Sequence, residues 1–317
     1  MRVAEVSSNA YMTRVCSRII RQANALANAK ETGWHLVVDA LNAEKAKYVF
    51  GLPGDMQLYD ALNEYPNIKP IQTRHEGAGV FMAYAYAKLT GEPGVCYGTL
   101  GPGVAQMVAG ILETYSAALP MVIPAPSPNQ LTEGKGAFQE NDQVSMLGGM
   151  TKWSYRVTRP EKISWAMRRA FSIATNGKPG PVFLDFPKDV GNAEIKRTTL
   201  PKYVPADRPI RIRPDSERVK RAVELLLQSE RPVMVVGGGA ISSRAFKEVV
   251  ELAELLAIPI LTTPCGRGIV SEDHPLAVGL VGLYRTEVGK RLYEDADVLI
   301  GLGTRFEEFQ SGGWKYF

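Results

Sequence analysis

KPIQTRHEGAGVFMAYAYAKLTGEPGVCY, residues 69–97, carries one strand-turn-helix-turn-strand cycle. Lys69 to Gln72 is strand-sized, Glu76 opens a helix that runs to about Lys88, and Gly94 to Tyr97 is a second apolar strand. The same alternation extends in both directions, with strands expected at Tyr48 to Phe50, Met121 to Ile123 and Val182 to Phe186. Apolar runs of this length separated by helix-sized gaps predict a parallel sheet covered by helices on both faces, with binding sites at the carboxyl ends of the strands. Residues 191–213 lose the rhythm among scattered prolines and predict an extended linker. A second cycle then follows, with a helix over Ser216 to Gln228, a strand over Val233 to Val236, a helix over Ala245 to Leu256, and strands over Ile258 to Leu261 and Val298 to Gly301. The expectation is an α/β chain with an extension over residues 1–32, one parallel-sheet domain over 33–190, and a second, incomplete one over 214–317.

Composition narrows the function classes. Of 317 residues, 45% are hydrophobic and 22% charged, ordinary for a globular protein. The formal charge of +4 is dispersed and leaves no basic stripe for nucleic acid. Cys16, Cys96 and Cys265 are odd in number and far apart, without metal-ligand spacing, which suits a reducing cytoplasm. No apolar run approaches the roughly 18 residues of a membrane-spanning helix. The arginines of the first 32 residues suggest a transit peptide, but Glu5 and Glu31 dilute that pattern and favour a surface extension.

Three glycine turns follow three predicted strands: Gly51, Pro53 and Gly54 in the first, the 73–79 turn with Glu76, and Thr99, Gly101, Pro102 and Gly103 in the third. Each alone is ordinary turn chemistry, and an isolated glutamate there would be a first-turn acid favoured by the helix dipole. Together they bring three close-approach turns and one acid to a single sheet edge. The histidines invite catalysis through their titration range, but His75 reads as structural, His274 as a loop residue, and His35 as a helix residue with no evident partner. Gly237, Gly238 and Gly239 end a later strand before a helix, an arrangement that lets backbone approach a pyrophosphate.

The blocks YVFGLPGDMQLYDAL (48–62), RHEGAGVFMAYAYAKLTGEPGV (74–95), TLGPGVAQ (99–106), GAFQEND (136–142) and GKPGPVFLDFPKDV (177–190) resemble, in order, acetolactate synthases and related thiamine-diphosphate enzymes. The likeness continues through VVGGGAISS, LAIPILTTPCGRG, EDHPLAVGLVG and ADVLIGLGTRFEE, covering about residues 33–311. It implies a pyrimidine-binding fold for the first domain and a Rossmann-like fold for the second. Glu76 is then the catalytic residue that hydrogen-bonds the aminopyrimidine nitrogen. A buried carboxyl there shares a proton with the ring and promotes the form that deprotonates the thiazolium carbon. By the same resemblance Gly51, Pro53, Gly54, Thr99, Gly101, Pro102 and Gly103 wall the cofactor, while Phe138, Gln139 and Lys188 line the path of a 2-oxo acid. Lys178, Gly237, Gly238, Gly239, Thr263, Pro264 and Arg305 match flavin-side positions. Acetolactate synthases hold FAD there without redox work in their main reaction, whereas related decarboxylases keep a similar domain without it, so the resemblance leaves both states open.

In the family Mg²⁺ and the cofactor pyrophosphate are held by a GlyAspGly block and an Asn of a third domain. No GlyAspGly occurs here, so no metal ligand is expected from this chain, and a fragment of a longer protein, a split subunit or a degenerate relative would each account for it. Leu100 and the 123–128 stretch IPAPSP depart from the acetolactate synthase pattern. The resemblance implies decarboxylation of a 2-oxo acid and transfer of the fragment to a second carbonyl compound, by a homodimer or tetramer when complete or with a separate subunit supplying the missing domain. The competing readings are a thiamine-dependent decarboxylase or sulfoacetaldehyde acetyltransferase type, and a non-catalytic cofactor-binding subunit.

Overall fold

The computed structural model describes residues 31–54, 56–207 and 211–315. The predicted extension lies mostly outside the described residues. The chain forms two compact units, Met1–Ile210 and Arg211–Phe317.

In the first unit α1 (Gly33–Ala43) leads into β1 (Tyr48–Gly51), followed by α2 (Met56–Leu62), β2 (Lys69–Gln72), α3 (Glu76–Thr90) and β3 (Gly94–Tyr97). Then come α4 (Pro102–Gln106), α5 (Val108–Ser116), β4 (Met121–Ser127), α6 (Gln143–Gly148), β5 (Trp153–Arg156), α7 (Ile163–Thr175), β6 (Pro181–Pro187) and the short α8 (Lys188–Gly191). The strands form one sheet in the order β2-β1-β3-β4-β6-β5, every pairing parallel. Side chains that alternate along each strand explain why both faces are covered. Val49, Val95, Tyr97, Val122, Val182, Leu184 and Phe186 join one core with α1, α2 and α7. Phe50, Cys96, Met121, Ile123 and Phe183 join a second core with α3, α5 and α6.

Two features of this sheet bear on the site. The chain leaves β1 toward β2 on one side and returns to β3 on the other, so the carboxyl ends of β1 and β3 flank a topological switch point, the usual binding crevice of such sheets. The β3–β4 ladder is also short, pairing only Gly94 with Met121 and Val95 with Val122. Met121 donates its N–H toward β6, to Gly180 O. Donors alternate sides along a strand, so positions 122, 124 and 126 face β3. Pro124 and Pro126 have no donor to give, and the two strands part there.

The second unit contains α9 (Ser216–Gln228), β7 (Pro232–Val236), α10 (Gly238–Ser242), α11 (Phe246–Leu256), β8 (Ile260–Thr262), β9 (Ala277–Leu280), α12 (Glu287–Asp295), β10 (Val298–Leu302) and α13 (Glu308–Ser311). Its parallel sheet runs β10-β7-β8-β9, the order of the first four strands of a Rossmann sheet, with its own switch point between β7 and β10.

The stretch predicted as a linker has packing of its own. Residues 192–207 pack on the first unit: Ile195, Leu200, Tyr203 and Ala206 join its core. The buried Glu44 accepts hydrogen bonds from the Tyr203 hydroxyl at 2.8 Å and from Ala206 N at 2.6 Å. Apolar residues between the prolines hold this stretch down, and the boundary between the two units, Ile210/Arg211, lies within the 191–213 span.

Candidate functional site

Glu76 is the first residue of α3, immediately beyond β2, and only 4% of its surface is exposed. The backbone delivers it there in a fixed way. Thr73 N donates to Gly51 O at 2.9 Å, and the Thr73 hydroxyl donates to His75 O at 3.0 Å. His75 caps the helix, its Nδ1 accepting from Gly77 N at 3.0 Å. That bond gives His75 the structural place expected of it. The carboxylate of Glu76 makes no hydrogen bond or ion pair among the described residues. Its neighbour across the sheet is Cys96, whose thiol is pushed up first by burial and then by the negative charge of Glu76. A buried carboxylate without a partner is costly unless something else meets it.

Two glycines lie against that side chain. A Cβ on Gly103 would lie 2.6 Å from Glu76 Oε1, and one on Gly98 would lie 3.3 Å from its Cγ. Gly54 presses on Thr99, and a Cβ at Gly51, where φ is +154°, would collide with the backbone of Tyr97. Gly79 of α3 lies against Gly51 for the same reason. The turns at 51–54 and 98–103 thus close around the switch point with Glu76 beneath them. Gly51, Pro53, Gly54, Thr99, Gly101 and Gly103 are brought together, and Pro102 faces outward at the start of α4.

Gly101 takes φ +61°, and its Cα side is filled by the backbone of Gln139, which has φ +58°. Contact between these two positions joins the 98–103 turn to the segment predicted to line the substrate path. Phe138 beside it is 79% exposed. Lys188 stands exposed at the start of α8, beyond the carboxyl end of β6 and on the same edge of the sheet. Lys178, matched by resemblance to the flavin side, also belongs to the first unit. It precedes β6, at the amino ends of the strands, with its ammonium 5.1 Å from the centre of the Tyr115 ring.

Sequence reasoning missed a buried polar group behind the turn. Gln143, Asp185 and Arg156 form a chain of contacts from α6 through β6 to β5. Burial pushes the Asp185 carboxyl up to about 6, against the pull of Arg156. The legible signal was an acid inside the otherwise apolar strand PVFLDFP. A folded value above the ordinary 3.8 means that the carboxyl contributes most to stability below about pH 4, and that this contribution is lost as pH rises through 6. Asp185→Asn, which cannot titrate, should gain stability relative to the parent chain by on the order of 2–3 kcal/mol between pH 4 and pH 7. Urea unfolding midpoints across that range measure it, and a difference constant with pH contradicts it.

In the second unit the carboxyl ends of β7, β8 and β10 collect Gly237–Gly239, Thr263, Pro264 and Arg305 on one edge. The glycines serve first to let two backbones meet: Gly237 N donates to Leu302 O at 2.8 Å and Gly239 N to Gly303 O at 2.9 Å. Those two amides are therefore already paired within the unit. Thr263 is buried, its hydroxyl accepting from Gly266 N at 3.1 Å, and Arg305 is half exposed and paired with Glu307 at 2.7 Å. The remaining histidines have structural partners: His35 Nδ1 accepts from Thr32 N at 2.9 Å, and His274 Nδ1 accepts from Leu276 N at 3.2 Å. Among the described residues no group of three His, Cys, Asp or Glu could hold a metal ion, and no helix is long and apolar enough to cross a membrane.

Known proteins agree with this division. Residues 31–146 match the thiamine pyrophosphate enzyme N-terminal TPP binding domain, and residues 219–317 match the central domain of the same enzymes. The chain is 40% identical over 298 residues to a probable acetolactate synthase large subunit of Methanocaldococcus jannaschii, which aligns with 90% of this chain and 49% of that protein. It is 34% identical to the acetolactate synthase large subunits of Corynebacterium glutamicum, over 93% of this chain and 47% of that protein, and of Haemophilus influenzae, over 88% and 49%. It spans about half the length of these relatives. With both domain matches in sequence order and together taking in more than half of its residues, the chain belongs to the thiamine pyrophosphate enzyme family.

Proposed function

We propose that this chain provides the aminopyrimidine side of a thiamine-diphosphate site in an enzyme of the acetolactate synthase type, which decarboxylates a 2-oxo acid and joins the fragment to a second carbonyl compound. The observation that carries the reading is the Glu76 carboxylate, buried against Gly98 and Gly103 at the switch point without a hydrogen-bond partner among the described residues. A flat ring stacked along side-chain-free backbone reaches that oxygen. Bound there, thiamine diphosphate supplies a carbon nucleophile. Glu76 holds a proton at the ring nitrogen, and its burial keeps water from competing for it. The glycine turns fix the ring's plane, while Gln139 and Lys188 offer an amide and a cation to a 2-oxo acid. Titration of the chain with the aminopyrimidine half of the cofactor tests the site directly: saturable binding is expected, and its loss in Glu76→Leu. Equal binding by both proteins, or none by either, refutes the assignment.

The reading extends to FAD at the β7/β10 edge of the second unit, supported by the Rossmann strand order and by Gly238, Thr263 and Arg305 at the strand ends. Mg²⁺ is proposed to enter with the cofactor pyrophosphate on further protein outside these residues. A decarboxylase without an acceptor is the nearest rival, and product analysis of the complete enzyme separates the two.

A protein partner is proposed for the outer face of α3. Ala78, Phe81, Met82, Ala85 and Leu89 recur at helical spacing and are all exposed, and Leu112 of the adjoining α5 extends the patch. An apolar stripe that starts beside Glu76 marks an interface, proposed here to be with a second copy of the chain. Phe81→Glu combined with Met82→Lys should convert a self-associating chain to a monomer in sedimentation equilibrium, and an unchanged mass contradicts it.

A further inference from the structure

We infer that Gln143 is a positioning residue: with Asp185 it replaces the β3–β4 ladder that Pro124 and Pro126 interrupt, and so sets where the 98–103 turn lies over Glu76. The relevance to catalysis rests on the thiamine-diphosphate reading of that turn; the positioning itself rests on geometry alone. Past the Val95–Val122 pair nothing in the backbones of β3 and β4 joins them. Gln143 enters that gap from α6 with 2% of its surface exposed. Its Oε1 accepts from Gly101 N at 2.6 Å, on the β3 side. Its Nε2 donates to Pro126 O at 3.1 Å, on the β4 side, and to Asp185 Oδ1 at 2.7 Å.

Both amide hydrogens and the amide oxygen are therefore engaged, and the side chain has one satisfied orientation. Asp185 is in turn fixed from β5, where Arg156 Nε lies 3.3 Å from Oδ2 as an ion pair rather than an aligned hydrogen bond. The same stretch of chain holds the other end of the substrate segment. Asp189 accepts from Gln130 N at 3.0 Å and from Gln130 Nε2 at 2.8 Å. Residues 130–143, with Phe138 and Gln139, are thus suspended between two amide–carboxylate pairs whose acids flank Lys188. One pair reaches through to the wall of the cofactor pocket, and that pair contains Gln143.

Amide exchange of the 317-residue chain, followed residue by residue, tests this. Gln143→Leu removes the acceptor for Gly101 N and should speed exchange of that amide by about tenfold or more, while the paired amides of β3 keep their rate. Gln143→Glu with Asp185→Asn exchanges donor and acceptor between the two positions and keeps the acceptor for Gly101 N while losing the bond to Pro126 O, so it should hold the Gly101 rate well below that of the leucine variant. Should the leucine variant not fold, Gln143→Glu alone serves, because it sets two carboxyl groups face to face and should loosen the turn that the paired exchange restores. An unchanged Gly101 rate in the disrupted variants, or no recovery in the exchanged pair, overturns the inference. Titration of the same samples with thiamine diphosphate keeps the two readings apart. Exchange as expected without any cofactor binding upholds the positioning and defeats the reading of Glu76. Glu76-dependent binding with an unmoved Gly101 amide does the reverse.

Discussion

Glu76→Gln should leave the chain folded and lower turnover of the enzyme assembled around it by about a thousandfold, within the range of roughly 10² to 10⁴ typical of a lost proton-transfer group. Gln keeps the size and the hydrogen-bonding oxygen of Glu, but its amide cannot take and return a proton at the ring nitrogen. Stability is expected to move the other way. The residue sits 4% exposed, with Gly103 and Gly98 against it and no partner among the described residues, so exchanging its carboxyl for an amide breaks no bond. The melting temperature of the Gln variant should equal or exceed that of the parent. A variant that turns over normally removes the catalytic role, and one that melts well below the parent shows that the carboxylate is a structural group with a partner of its own.

The second large effect concerns Arg197, in the segment that follows the first sheet. Its guanidinium reaches Glu31 Oε1 at 2.7 Å, Asp39 Oδ1 at 3.0 Å and Glu64 Oε2 at 2.8 Å, and its backbone N donates to Glu31 Oε2 at 3.0 Å. One cation thus holds three acids from three parts of the chain. Arg197→Ala leaves those acids facing one another. The arginine is a quarter exposed, so the cost falls between the 3–5 kcal/mol of a broken buried pair and the small worth of a surface one, at about 2 kcal/mol. The pH dependence has a definite sign. The backbone and side-chain hydrogen bonds from Arg197 hold the Glu31 carboxyl below its ordinary 4.5. Its stabilising contribution is complete above that value and is lost as pH falls below it. The parent chain should therefore lose stability in acid more steeply than Arg197→Ala, in which protonation relieves the repulsion among the acids. Parallel curves from urea unfolding between pH 7 and pH 3 would show that the arginine is not what links them.

Strands buried on both faces were legible because their runs are apolar throughout, as in GVCY at 94–97 and PVFLDFP at 181–187. β5 (WSYR) and β9 (AVGL) were not, because Ser154 and Arg156 interrupt the first run and Gly279 the second. The place of Glu76, after a strand and at a helix start, was legible, whereas the role proposed for it came from the resemblance. Gln143 was not, since nothing in a local sequence shows that a proline-broken ladder 17 residues upstream leaves a gap of its size. The prolines at 201 and 205 suggested a connector, and only packing shows that Leu200, Tyr203 and Ala206 bind the stretch to α1 and its neighbours. The glycines at 237 and 239 fit a pyrophosphate cradle in one dimension, whereas the fold uses their amides to close β7 upon β10.

The segments that bracket the first sheet, residues 31–33 before α1 and 193–195 after α8, run side by side. Thr32 bridges Glu194, Ile195 N donates to Glu31 O at 2.9 Å, and Gly33 N donates to Ala193 O at 3.1 Å. A body whose entry and exit touch behaves as a cassette: a short splice between them costs little loop entropy, and the backbone can be reopened elsewhere. The exposed bend at 133–136 is a natural place for new ends, so a circularly permuted version cut there should still fold. The same closure lets such a cassette be carried from one multidomain polypeptide to another without disturbing the sheet inside it.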